Sequence, residues 1–457
     1  PSYVLSRLHI LTGTAMKSTI SVLIEELGSL QVAQITNTHD PSPEGVPFAP
    51  ASAPGLSNRE ICLDDVPRFL YRTYSRKSQG RNDDIWVTSK DAAERPAAAT
   101  NRTDILLRSG AKVAADLNRH ARWWPRTRAR ARRTEKCNLV SWTSSLLFAL
   151  RMIYFRHRSS RDGSKLEDIW LHVVDTSKFP SGTFARDAYL YARYAEFDAG
   201  PGDTLGDLNE THASSEFYFG EYFSQGALKV QDKGCAVSAK EIEQAGLLKL
   251  GLALNSGMGL ANWVVLKRQR WLRSSGRDMS TQELDTAVNI ASLFDDYELP
   301  MAAALLSLRA WPRNQIKIIL SRLCSITIRS KQDVTELLDV SPKTEGSYRH
   351  LDDKMPELKQ FEKIMSMVAI QLPALYAKSL IDFTSHSLAS LEQNIAADGN
   401  MTSKSTDIAT PSSEDWLPEK ITKEELETIF LREVLKLGEG LRNLREKYEQ
   451  DVAQVPE

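Results

Sequence analysis

A chain of 457 residues has room for two or three domains, each with its own core. Its 42% hydrophobic and 26% charged residues are ordinary globular usage and exclude disorder throughout. The net charge of −1 gives no whole-molecule field that selects a polyanion, and four scattered cysteines without a CxxC pair exclude a zinc ribbon or a disulfide-stapled scaffold.

The chain begins at Pro1, which suggests a processed or incomplete N-terminus. Arg7 and His9 interrupt the first apolar stretch, so it makes a poor signal-peptide core. No apolar run reaches the ~18 residues of a membrane span, and the default expectation is an intracellular, cytoplasmic protein with no membrane partner. Residues 1–60 predict an amphipathic helix, Ile20–Leu30, followed by a linker rich in proline (Pro41, Pro43, Pro47, Pro50 and Pro54). Proline fixes φ and removes a backbone donor, which keeps such a segment extended.

An α+β domain is expected over 61–240. Phe69–Tyr74 is aromatic and β-branched, as a strand requires, and carries Arg72 within it. Residues 78–103 form a loop apart from the short strand Ile85–Val87. Apolar residues at helical spacing predict a helix over Asp104–Trp124. The arginine-dense run 126–133 is ordinarily a solvated loop; its functional alternative is a polyanion site. Leu139–Ser144 predicts a strand that delivers hydroxyls to the helix Leu146–Tyr154, with Ser144 or Ser145 as its N-cap. Ile169–Val174 is a buried strand, Ala185–Phe197 a helix, 198–212 a loop and Phe217–Phe223 a strand.

Beyond Ser238 helical patterns take over. Helices are expected at Lys240–Leu254, at Leu260–Leu272 with Arg268 on its polar side, from the capping box at Ser280 to Phe294, and over Pro300–Trp311 and Asn314–Ile328. This gives an all-helical region at 241–340 and a helical extension at 341–395, of which 341–353 is a polar linker and Pro373 a kink. A flexible linker at 396–417 leads to an amphipathic helix over 418–457. The apolar stripe of 422–448 steps by four and three residues, which suits docking on a partner protein or on another helix of this chain.

Three stretches carry the chemistry: Phe69–Arg72, Ser141–Ser144 and Gly220–Ser224 offer a cation, hydroxyls and a carboxylate, and are expected to meet at one cleft. Each has a plain alternative. Arg72 can be an edge-strand cation with its head in water, Ser144 a helix cap, and Glu221 an outward-facing strand residue. No HExxH or Cys/His cluster suggests a metal, no GxSxG a serine hydrolase, and Asn255–Gly259 lacks the third glycine of a dinucleotide fingerprint.

Tyr71-Arg72-Thr73-Tyr74-Ser75-Arg76, Val140-Ser141-Trp142-Thr143-Ser144 and Glu221-Tyr222-Phe223-Ser224-Gln225-Gly226-Ala227-Leu228 resemble, in that order, the three signature strands of the arginine–serine–glutamate class of ADP-ribosyltransferases, the cholera- and pertussis-toxin-like enzymes. The domain also resembles a domain of unknown function common in filamentous-fungal proteins. The resemblance covers roughly 62–240 and implies a split β-sheet followed by the helical region and C-terminal helix. It implies NAD as substrate, Glu221 and Ser141 as catalytic residues, and Arg72, Thr143, Ser144 and Tyr222 as NAD-binding residues. Where arginine-modifying members carry Glu or Gln two residues before the catalytic glutamate, this chain has Phe219. The expected function is ADP-ribosyl transfer or NAD glycohydrolysis. The alternative is a non-catalytic interaction protein on the same scaffold.

Overall fold

The computed structural model describes residues 45–49, 63, 65–96, 98, 101–121, 137–198, 204–214, 216–274, 276–330 and 349–369. All lie within one compact unit, Pro43–Leu372. The helix expected at 20–30, the basic run 126–133, Pro373, the linker 396–417 and the helix over 418–457 with its 422–448 stripe lie outside the described residues.

In chain order the N-terminal half places β1 (Phe69–Ser75), β2 (Trp86–Thr88), α1 (Lys90–Glu94), α2 (Gly110–Ala121), β3 (Leu139–Thr143), α3 (Leu146–Arg158) and β4 (Ile169–Asp175). Then come β5 (Ala185–Arg186), α4 (Asp187–Tyr194), α5 (Leu205–Ser214), β6 (Glu221–Gln225), β7 (Ala227–Lys229) and β8 (Gly234–Ser238). The helical half adds α6 (Ala239–Gln244), α7 (Leu260–Leu272), α8 (Thr281–Ala291), α9 (Glu298–Leu306) and α10 (Ile316–Ser330), then helical turns at Arg349–Asp352 and a helix at 356–369.

The fold is mixed α/β. A six-stranded sheet runs in the order β5-β6-β3-β1-β4-β8, and β2 pairs with β7 separately. Every pairing among these strands is antiparallel. The period-2 alternation of a strand sends neighbouring residues to opposite faces, and both faces are covered. Leu139 and Phe223 join a core with Val113, Leu117 and Tyr191, whereas Val140, Trp142 and Tyr222 join a second core with Leu70, Val174 and Phe179.

Two caps form as their sequences dictate. Ser145 Oγ accepts from the Phe148 amide at 3.2 Å and opens α3. Ser280 and Glu283 close a reciprocal capping box at the start of α8. Several expectations are corrected. The strand expected at 217–223 begins only at Glu221, and the loop expected at 198–212 contains most of α5. The helix expected to Leu254 stops at Gln244, because Gly246 turns left-handed at φ +110° and starts a tight 3₁₀ turn. Within the proline-rich stretch, Val46 bridges to Gln225, Phe48 donates to the Gly182 carbonyl at 2.8 Å, and the Phe48 side chain is buried. These residues belong to the core, not to a linker.

Arg268, expected on the polar side of its helix, is 3% exposed and pairs with Glu357 at 3.1 Å. Arg186 is buried against Asp352 through two bonds of 3.0 Å and against Asp65 at 3.2 Å. A buried cation is tolerated only when paired. These two pairs tie residues 349–369 to the elements around β5 and α7, so the segment expected as a polar linker is anchored at Asp352. No helix among the described residues is long and apolar enough to cross a membrane.

Candidate functional site

β1 pairs with β4 along its whole length, from Phe69↔Asp175 to Ser75↔Ile169, but with β3 only at Tyr71↔Thr143. Beyond that single pair the two strands have no ladder between them, and a cavity of about 640 Å³ opens there. Consecutive residues Tyr71–Thr73 and Leu139–Thr143 line it. Strand alternation forbids this in a closed sheet, where neighbours face opposite sides.

Arg72 spans the gap. Its Nη1 donates to the Ser141 carbonyl at 2.8 Å and its Nε to Asn82 Oδ1 at 3.1 Å. The guanidinium therefore satisfies a carbonyl on the strand from which β1 has parted. It is half-buried and makes no ion pair among the described residues, and burial, with repulsion from Arg156, lowers its pKa to about 9. A desolvated cation without a counter-charge favours an anion in the space beside it.

Ser141 Oγ lies 2.7 Å from His120 Nε2, and His120 Nδ1 lies 2.9 Å from Cys137 Sγ. Burial first, and Arg72 second, hold the imidazole at about 3, so it is neutral near pH 7. Burial pushes the Cys137 thiol up to about 12, which leaves it un-ionised and a poor nucleophile. Thr143 Oγ1 donates to the Phe219 carbonyl at 2.6 Å and accepts from the Ser145 amide at 3.0 Å. These bonds fix the strand end that faces Glu221, the Cα partner of Thr143.

Glu221 opens β6 and lines the same cavity. Its carboxylate has no hydrogen bond among the described residues. Burial and the nearby Asp187 carboxylate push it up to about 7, against the opposing pull of His212. The position is fixed by Gly220, whose φ of +65° turns the chain and whose carbonyl accepts from the Ser144 amide at 2.8 Å. Asp187 Oδ2 accepts from His212 Nδ1 at 2.9 Å, and Asp187 raises His212 to about 9, outweighing its burial.

Asp187, His212 and Glu221 have donor atoms within 4.8 Å of one another. The 2.9 Å between Nδ1 and Oδ2 is a hydrogen bond, so His212 and Asp187 form a pair with Glu221 beside them. Further cations line the cavity, namely Lys77, Lys90, Arg119, Arg156 and Arg161, against the acids Asp162 and Glu221. Asp162 is already engaged by Arg156 at 2.7 Å and by Ser75. The balance of charge suits an anionic ligand, with Phe148 and Met152 supplying apolar wall.

Of the residues singled out from sequence, the fold thus brings Arg72, Ser141, Thr143 and Glu221 to one cavity. Ser144 and Tyr222 are not part of its lining. Ser144 is buried and tethers Gly220, while Tyr222 follows strand alternation to the opposite core, beneath the Arg186 guanidinium at 5.2 Å. Of the other aromatics before Glu221, Tyr218 is buried and accepts from Arg186 at 2.8 Å, and Phe219 stacks on Phe148 at 4.8 Å. Sequence reasoning missed His120, Asp187 and His212. The available signal for His212 was Thr204-Leu205-Gly206-Asp207, whose capping spacing opens α5: the Asp207 amide donates to Thr204 Oγ1 at 3.2 Å.

Residues 65–210 match the family described as "Domain of unknown function (DUF7587)". The matched span includes Arg72, Ser141 and Asp187 and stops short of His212 and Glu221. No curated protein and no solved structure matches the chain.

Proposed function

We propose that this cavity binds NAD and cleaves its nicotinamide–ribose bond. The observation that carries this reading is the convergence of Arg72, Ser141 and Glu221, from three distant stretches, on one cation-lined cavity. The parting of β1 from β3 after Tyr71↔Thr143 also supports the split-sheet resemblance.

Arg72, which makes no ion pair among the described residues, would take a phosphate of the dinucleotide, a geometry that guanidinium suits. Ser141, held by His120, would contact the ribose, and Glu221 would face the anomeric carbon. The glycosidic electron pair leaves with nicotinamide, which departs neutral, and the ribosyl cation is stabilised by the Glu221 carboxylate. The cation then takes the oxygen of water, releasing a proton, or that of an acceptor hydroxyl. Phe219 is apolar and stacked on Phe148, so it offers no polar group to orient an arginine acceptor, which favours hydrolysis over arginine modification.

The test uses the full chain and NAD. Calorimetry should show binding that weakens about tenfold or more in Arg72→Ala, the size expected for loss of a charged hydrogen bond. Chromatography should show nicotinamide release that Glu221→Gln abolishes while binding persists. Release in the wild type should rise with pH through about 7, because Glu221 works as the anion. No NAD binding at millimolar concentration would overturn the reading and favour the interaction-protein alternative. Nicotinamide release unchanged in Glu221→Gln would remove Glu221 from the chemistry.

A further inference from the structure

Glu221 poses a physical problem within its cavity. A carboxylate that is half-buried, has no hydrogen bond among the described residues and lies beside the fully buried Asp187 should resist ionisation. The one side chain among those acting on it that can offset this is His212.

His212 is held rigidly. Asp187 Oδ2 takes its Nδ1–H at 2.9 Å, and Asp187 is itself fixed at the start of α4 by accepting the Ala188 amide at 2.7 Å. The imidazole packs against Tyr191 at 5.6 Å and Tyr218 at 6.2 Å between ring centres. Its donor atom, that of Asp187 and that of Glu221 lie within 4.8 Å of one another. We propose that Asp187 and His212 are positioning residues for Glu221, setting beside its carboxylate the cation that lets it work as an anion.

The charged surroundings agree. Burial opposes a charge on His212, and Asp187 and Glu221 favour it. From α2, Arg119 and His120 line the same cavity, but Arg119 is spent on Asp116 at 3.0 Å and His120 is neutral. Asp198, on the turn after α4, accepts from the Leu205 amide at the opposite end of α5. Tyr191 and Tyr218 are buried and held far above their ordinary values by burial, so they remain neutral. One imidazolium between two carboxylates is the resulting pattern, and Asp187 serves to keep the imidazole protonated.

This inference rests on the NAD-cleavage reading for its use but not for its test. Carboxyl-carbon NMR of the free full-length protein should show Glu221 titrating near 7, and nitrogen NMR should show His212 protonated at pH 7.5. In His212→Gln, which keeps a polar amide beside Asp187, the Glu221 midpoint should rise by about one unit or more, a tenfold gain in proton affinity. The acid limb of nicotinamide release should shift to higher pH by the same amount, with activity recovered near pH 9. A purely structural role would lower activity equally at all pH values. A neutral His212 in the wild type at pH 7.5 overturns the proposal without any variant, as does an unmoved Glu221 midpoint in a folded His212→Gln. Absence of nicotinamide release overturns the NAD reading and leaves the NMR result to decide this one.

Discussion

Gly220 shows how one residue fixes the site. Its φ of +65° is costly for any side chain, and a methyl group there would sit 2.0 Å from Ser144 Oγ and 3.1 Å from Met355 Cε. Gly220→Ala should therefore cost about 1–3 kcal/mol in urea unfolding, the usual penalty of a left-handed non-glycine residue. It should also lower nicotinamide release more than binding, because Glu221 is the next residue. At this scale the sequence was partly legible. Arg72, Ser141 and Glu221 stood out as polar groups set in apolar strands, which is where a cleft must draw its chemistry. His120 and Asp187 did not, because charged and polar residues are commonplace in helical stretches, and His212 did not, because 198–212 reads as a loop. Only the fold, by bringing α2, α4 and α5 to the cavity, gives them a role. Tyr222 was misplaced for a simpler reason: an aromatic next to Glu221 on a strand must point away from it.

Elements were legible in proportion to their apolar pattern. β1, β3 and β4 are continuous aromatic and β-branched runs, and all three form. α5 contains Gly206, Asp207 and Asn209, all poor helix formers, so its pattern is weak; its cap and its packing on α4 hold it instead. β8 is five short residues whose identity as a strand comes from pairing with β4. Arg268 on α7 illustrates the limit, since its burial depends on Glu357, far along the chain. Ser145 Oγ completes that junction, donating to Glu357 at 2.8 Å while capping α3. Glu357→Ala should destabilise by about 3–5 kcal/mol, because it leaves Arg268 buried and unpaired. The double change Arg268→Met with Glu357→Leu should cost far less, since no charge is stranded. Urea unfolding of the two variants side by side distinguishes a true ion-pair effect from loss of packing.

For the whole molecule, the buried titratable groups set a pH profile of stability. His172 on β4 is 2% exposed, and His120 lines the cavity; burial, reinforced by Arg72, lowers both to about 3 from an unfolded value of 6.5. A depressed histidine contributes stability that is full above 6.5 and is lost as pH falls toward 3. Each such group gives a slope of about 1.4 kcal/mol per pH unit in that window. Glu221 works in the opposite sense, since its folded value of about 7 exceeds its unfolded 4.5, so its contribution is full below 4.5 and is lost as pH rises through 7. Between 4.5 and 6.5 two histidines oppose one carboxylate, leaving a net rise of about 1.4 kcal/mol per unit. Above 6.5 the sign reverses, because His212, raised to about 9, contributes stability that is present below 6.5 and is lost up to about 9. Stability should thus peak near pH 6.5. In His172→Gln the acid-side slope should flatten nearly to zero between 4.5 and 6.5, while the decline above 6.5 remains. Urea midpoints measured in half-unit steps from pH 4.5 to 9 test both limbs, and an unchanged acid limb in that variant would show that His172 titrates freely.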